Sequence, residues 1–234
     1  MNKGITLTVL FLLIGCGSID PTAAKINSSK QFEAEYATWT SSTVTFRETE
    51  TDRQIIKAKV KGDKFYFQVY RNFLSSDNLA EEVIYDGKTL WLVTKSMGGR
   101  FKDIVVYQPM STGQSRALHF WKLPQMHFSK PTEENQYYVY KAGGAFRGGN
   151  TDISIYVDKK DYVVKKAKTA LYISDMVDEP YSVDHLECKS IVFKEIPDTV
   201  FDYKPAPNAE VKTSAEAIRG GMDAFKDLLT GKLK

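Results

Sequence analysis

Cys16 and Cys188 are the only two thiols of the chain, and His119, His127 and His185 its three imidazoles, so thiol, imidazole or soft-metal chemistry has to be built from these side chains. The histidines stand in no metal-ligand spacing, and neither a Gly-x-Ser-x-Gly elbow nor a Cys/His arrangement is present. The Gly-rich run from Ala142 to Asn150 lacks the Lys-Ser/Thr ending of a phosphate loop and reads as a hairpin tip. Asp175, Asp178 and Glu179 have neither the spacing nor the glycine of an EF-hand loop, which leaves a solvated turn. The other carboxylates face no evident partner for proton transfer. The expectation is a protein that is not an enzyme, with no catalytic residue, no metal and no cofactor.

Cys16 differs from the rest because of what surrounds it. A single cation, Lys3, precedes an apolar run from Ile5 to Ile14, and the run ends in Leu13-Ile14-Gly15-Cys16. This order resembles the lipobox of bacterial lipoprotein signal peptides. The apolar run is shorter than the roughly 20 residues that span a bilayer and has the length of a secretory h-region. The resemblance implies that residues 1–15 are a signal peptide and that Cys16 opens the mature chain, its sulfur thioether-linked to lipid. An ordinary secretory signal with an incidental cysteine is the alternative. Several acyl chains hold a protein at a membrane far longer than one, at about 0.8 kcal/mol per buried methylene. Gly17 follows Cys16 where an Asp would resemble an inner-membrane retention signal, so the expected location is the bacterial outer membrane, lipid-anchored and facing the periplasm.

Charge narrows the partners. Thirty-two Lys and Arg against 29 Asp and Glu give a net +3, which removal of Lys3 lowers to +2. A scattered excess this small argues against a nucleic-acid partner. With Cys16 committed to lipid, no internal disulfide is available, and Cys188 is expected as a small buried hydrophobe. No break in composition divides the chain, so residues 31–234 read as one domain. Between anchor and domain, Gly17 to Lys30 is rich in Ser, Ala, Asn and Thr and reads as a flexible tether with a span of roughly 20 Å.

From Gln31 onward the dominant period is two, the signature of half-buried strands. Phe32, Ala34 and Tyr36 alternate with polar neighbours, as do Val44 and Phe46. Ala58 and Val60 lead through Lys61-Gly62-Asp63-Lys64 into Phe65, Phe67 and Val69, a tight hairpin. Val83 to Tyr85 reach Asp86-Gly87 and resume at Leu90 to Val93, a second hairpin. Further strands are expected at Ile104 to Tyr107, Gln136 to Lys141, Ile153 to Val157, Tyr162 to Ile173 and Val183 to Phe193. About ten strands in one antiparallel series predict a mainly β fold, a strongly curved open barrel. The stretch Gln108 to Pro131 breaks the rhythm with four prolines or glycines among large apolar residues, too many for a solvated loop. One convincing helix is expected over residues 214–230, capped by Thr213 and Glu216, with Ala215, Ile218, Met222, Phe225 and Leu229 on one face to pack on the sheet.

The hairpin Ile84-Tyr85-Asp86-Gly87-Lys88-Thr89-Leu90-Trp91, the Val157-Asp158-Lys159-Lys160 turn before a long strand, and the closing segment Ile196 to Val211 together resemble the LolA/LolB-like family of lipoprotein carriers, over most of Gln31 to Val211. The resemblance implies an incomplete antiparallel barrel, covered by short helices and a C-terminal helix, whose apolar cavity receives acyl chains. The family's soluble carrier has no lipobox and opens with a substantial helix, so the likeness is to its anchored receptor or to another lipid-binding relative. The family's functional arginine is not assigned among Arg53, Arg71, Arg100, Arg116 and Arg147.

The function expected on these grounds is binding or transfer of acyl chains, lipid or acylated protein. Strand alternation nominates Phe65, Phe67, Val69, Leu90, Leu92, Val139, Ile153, Ile155, Val157 and Leu171 as lining of the hydrophobic cavity. Leu118, Phe120, Trp121, Met126 and Phe128 are the candidate cover, and Phe73 and Leu74 a candidate membrane-contact loop, or else a small cluster folded over the sheet's open end. A filled core with the same strand pattern, acting as a protein-interaction or envelope-sensor module with a protein partner, is the alternative.

Overall fold

Alternation becomes a single twelve-stranded sheet in the computed structural model, which describes residues 21–42, 49–73, 76–96, 102–124, 126–146, 149–173 and 179–218. In chain order the strands are β1 Gln31–Ser42, β2 Thr49–Lys61, β3 Lys64–Phe73, β4 Ser76–Tyr85, β5 Thr89–Thr94, β6 Ile104–Pro109, β7 Thr132–Glu134, β8 Tyr137–Phe146, β9 Gly149–Asp158, β10 Val164–Tyr172, β11 Ser182–Phe193 and β12 Glu210–Thr213. Their order across the sheet is β12-β6-β5-β4-β3-β2-β1-β11-β10-β9-β8-β7. The ends do not pair with each other, so this is a curved sheet left open rather than a closed barrel. The expected Val44 and Phe46 lie outside the described residues.

Hairpin chemistry fixes the registers. Gly62 takes φ +64° between β2 and β3, and Gly87 takes φ +101° between β4 and β5, backbone that favours glycine. Asp86 then accepts hydrogen bonds from the Lys88 and Thr89 amides and closes its turn. Asp158 does the same for Lys160 and Asp161 between β9 and β10.

Three expectations need correction. The series is not wholly antiparallel, because β12 pairs parallel to β6, with Glu210 opposite Ile104 and Thr213 opposite Tyr107. The chain reaches that edge only after crossing the convex face, where Tyr203 and Ala209 pack on Ile84, Val93, Val105 and Trp91. The second correction is the tether: Pro21–Ile26 form a short helix, α1, whose Ile26 is fully buried with Leu123, Tyr140, Ile153 and Ile155. A polar composition hid one apolar anchor. Third, Cys188 is half-buried rather than buried. At the C-terminus, helix begins at residue 214 with Thr213 and Glu216 reciprocally bonded as a capping box, and residues 219–234 of the expected helix lie outside the described residues.

Candidate functional site: the concave face

The concave face is built by register. Val60 lies opposite Phe32 and Phe65, Ala58 opposite Ala34 and Phe67, and Ile56 opposite Tyr36 and Val69. Tyr85 and Val83 continue the rows to Leu90 and Leu92 on β5. These residues form one apolar cluster, and Leu186 of β11 joins it to a second that holds Ile153, Ile155, Val157 and Tyr140. A sheet that presents both clusters to one side has to curve around them.

The candidate lining residues are mostly brought together. Phe65, Phe67, Val69, Leu90 and Leu92 belong to the first cluster and Ile153, Ile155 and Val157 to the second. Leu171 lies opposite Thr151 on β9, two places along the same face from Thr169 and Ile153. Val139 does not join them: it pairs with Tyr156, while Tyr140 pairs with Ile155. A one-residue offset in β8 therefore puts Tyr140 on the concave side and Val139, though buried, on the other.

The segment Gln108 to Pro131 supplies the cover. A capping box at Ser111 and Gln114 starts a one-turn helix, α2, over Thr112–Ser115, and a 3-10 turn follows over Arg116–Leu118. Beyond it the chain lies across the sheet as irregular backbone. Trp121 is 1% exposed and meets Phe32, Phe65 and Phe67 edge-on, with ring centroids 5.7–6.4 Å apart. Phe120 packs on Tyr36 and Phe67 at 4.9 and 5.0 Å. Leu118 joins the first cluster, whereas Met126 and Phe128 pack on the second. Backbone bonds from Val164 N–H to Trp121 O and from Ser129 N–H to Lys141 O tie the cover to the start of β10 and the middle of β8.

Its polar atoms are less well served than its rings. Neither ring nitrogen of His119, nor Trp121 Nε1, nor the Tyr36 hydroxyl makes a hydrogen bond of ordinary geometry, although all are buried; His119 Nδ1 stands 3.9 Å from the Asp63 carboxylate, and the Tyr36 hydroxyl lies beside the Cys188 thiol. Burial, aided by the nearby Lys122 ammonium, lowers the His119 pKa to about 4 against the opposing pull of Asp63. His119 is thus neutral near pH 7, stacked on Trp121 at 4.6 Å. Lys122 reaches out to Asp63 at 2.9 Å and pins the cover to the β2–β3 turn.

Farther along the concave face the lining turns polar, which strand alternation did not reveal. Glu81, 3% exposed and opposite Val69, receives Arg71 Nη2 at 2.9 Å, and Arg71 Nε has no partner. Thr40 donates to Asp184 at 2.7 Å nearby in the β1–β11 pair. Arg71 two places after Val69, and Glu81 two before Val83, were readable as polar residues in an apolar row. The arrangement can shelter apolar chains against the rings and hold a polar group at the ion pair. Its carboxylates lie in no metal-binding group, and the described residues contain no cluster of three or more His, Cys, Asp or Glu placed to hold a metal.

Phe73 is the last residue of β3 and pairs with Ser76, so it stands at a hairpin tip, while Leu74 lies outside the described residues. Asp175 and Asp178 also lie outside them. Cys16 and its preceding segment do too, and among the described residues no helix is long and apolar enough to cross a membrane.

No protein-family model and no curated protein matches the sequence. Among solved structures the fold is similar to an uncharacterized conserved protein from Thermus thermophilus, at 12% identity and a TM-score of 0.46, over 82% of this chain and 94% of that one. It is also similar to the LolA superfamily protein NE2245 from Nitrosomonas europaea, at 16% identity and a TM-score of 0.37, over 78% of this chain and 96% of that one. Both likenesses are distant, and the architecture described above rests on the strand pairing itself.

Proposed function

We propose that this protein is a lipid-anchored, non-enzymatic envelope protein that binds or transfers acyl chains, as free lipid or on an acylated protein, on the concave face of its open sheet. Attachment is through Cys16 to the bacterial outer membrane, with the domain facing the periplasm, in the manner of the anchored LolA/LolB-like carriers its motifs resemble. One observation carries this reading: among the described residues, an apolar sheet face is covered by an irregular segment, residues 118–124 and 126–128, and not by a second sheet or a long helix. Such a cover can leave without breaking a strand ladder.

Magnitudes permit the exchange. Re-exposing Phe120 and Trp121 costs about 3 kcal/mol for each large side chain, whereas burying a long acyl chain returns on the order of 10 at about 0.8 per methylene. A ligand that displaces both rings and lies against Phe65, Phe67, Leu90 and Leu92 therefore retains a surplus before ordering costs. The Arg71–Glu81 pair lies deeper along the face for a polar end group.

A second reading has its own support. Phe120 and Trp121 already occupy the space over the first cluster, as a permanent core would, and neither the depression of about 250 Å³ among Glu33, Lys57 and Val192 nor that of about 500 Å³ among Lys30, Lys61 and Asp198 is lined by Phe65, Phe67, Phe120 or Trp121. On that reading the fold serves a protein partner. Mass spectrometry of organic extracts from protein purified without its anchor separates the two. Reproducible co-purifying lipid supports carriage. Its absence, together with a specific captured protein, supports the interaction module.

A further inference from the structure

The tether correction brings the anchor close to a particular rim of the sheet. Pro21–Ile26 are held by Ile26, so only Gly17 to Asp20 separate the helix from Cys16. Fully extended, that connection spans no more than about 18 Å. Headgroups occupy roughly 5–8 Å of each leaflet, so the rim beside α1 stays within reach of them whatever path the chain takes. The rim is where β1 begins and the β2–β3 turn lies, joined by a hydrogen bond from Gly62 N–H to Lys30 O at 2.8 Å.

Ser29, Lys30, Gln31, Lys61, Gly62, Lys64 and Asp198 line a depression of about 500 Å³ at this place. Its charge is unbalanced. Lys61 and Lys64 share the single carboxylate of Asp198 at 2.8 and 2.9 Å, which their two ammoniums hold down to about pKa 2. Among the described residues the Lys30 ammonium bonds two neutral oxygens, Lys25 O at 2.9 Å and Ser28 Oγ at 3.3 Å. Burial lowers the Lys30 pKa, with the Lys122 ammonium acting in the same sense and the Asp161 carboxylate against it. The other acids near it are engaged, Asp63 with Lys122 and Asp161 with Lys165. Among the described residues that line the depression, three cations thus face one carboxylate.

We propose that this basic rim, centred on Lys30, Lys61 and Lys64, docks on the phosphates of anionic phospholipid headgroups, so that the anchored domain stands on the membrane with the α1 rim down. The inference rests on the reading of Cys16 as the lipidated residue. The depression is open and shallow, without the enclosure that selects a free phosphate, whereas a leaflet presents many phosphates to spread lysines at once. Docking orients the molecule: the cover, which is tied to the same rim through Lys122 and Asp63, faces the membrane from which lipid would come or to which it would go.

Lysine footprinting tests this on the full chain carrying its own anchor, reconstituted into vesicles of phosphatidylcholine alone or mixed with phosphatidylglycerol. Acetylation of Lys30, Lys61 and Lys64, read by peptide mass spectrometry, is expected to be several-fold slower on the anionic vesicles, with no change at Lys168, exposed on β10. High salt is expected to erase the difference. A K30Q/K64Q variant is expected to lose the slowing at Lys61 while keeping its melting temperature. Equal rates on both vesicles overturn the proposal, as does slowing at Lys168 in place of the rim. The same slowing by inorganic phosphate in solution overturns the lipid source and assigns a free-anion site. The intact mass of the sample reports acylation of Cys16 separately: an unmodified Cys16 overturns the anchor, and the footprint with added vesicles still decides the rim.

Discussion

His119 shows how one side chain links burial to solution behaviour. Its folded pKa of about 4 lies below the ordinary value of 6.5, so between these values the unfolded chain binds the proton and the folded one does not. Stability is therefore full above about pH 6.5 and falls as pH drops toward 4, by up to about 3 kcal/mol for a shift of this size. H119L is expected to flatten that slope in urea unfolding followed from pH 7 to 4, with little loss at pH 7, since neither ring nitrogen forfeits a hydrogen bond of ordinary geometry. An unchanged slope would place the titration on other groups. Cys16 makes the complementary case, where chemistry and not packing decides. C16S is expected to abolish labelling by a clickable fatty acid, because a hydroxyl cannot form the thioether; equal labelling of mutant and parent rules out the lipobox.

Elements of this chain were legible wherever both faces of a strand differ. Phe65, Phe67 and Val69, or Ile153, Ile155 and Val157, alternate cleanly, and the structure places each set in one cluster. Legibility failed where a short element owes its position to a single contact. Within Pro21–Ile26 only Ile26 is large and apolar, yet its complete burial fixes the helix; periodicity needs more than one residue to register. I26A is accordingly expected to cost about 2–5 kcal/mol in denaturant unfolding, the range of a buried Ile cut to Ala, whereas a free tether would show no change. Strand β8 failed for another reason. Tyr137, Tyr138, Val139 and Tyr140 are apolar on both faces, so nothing in the sequence distinguishes Val139 inward from Tyr140 inward, and only pairing with β9 does. The parallel β12 was beyond reach because its partner, β6, lies about a hundred residues earlier and the crossover is irregular.

For the whole molecule, the question is whether the concave face holds a ligand space closed by its cover or a permanent core that includes the cover. Sequence pattern is blind to this, since a residue facing an acyl chain and one facing Trp121 have the same character. Packing under the cover is dense, with Trp121 against five aromatic rings, so overpacking is informative. Leu92 lies on β5 opposite Val83 and packs on the first cluster; Val157 is fully buried in the second. If the cover is displaceable, L92W forces it partly outward, costs about 1–3 kcal/mol, and leaves the fold intact with less co-extracted lipid than the parent. V157W, in the cluster closed by Met126 and Phe128, is expected to behave alike. If the cover is core, the added ring has no outlet, because the sheet's register is fixed by its hairpins and by Lys122 holding Asp63. Thermal unfolding and lipid extraction on the same samples discriminate: a modest drop in melting temperature with reduced lipid supports the open-sheet carrier, and loss of cooperative unfolding in both variants assigns residues 118–128 to a permanent core.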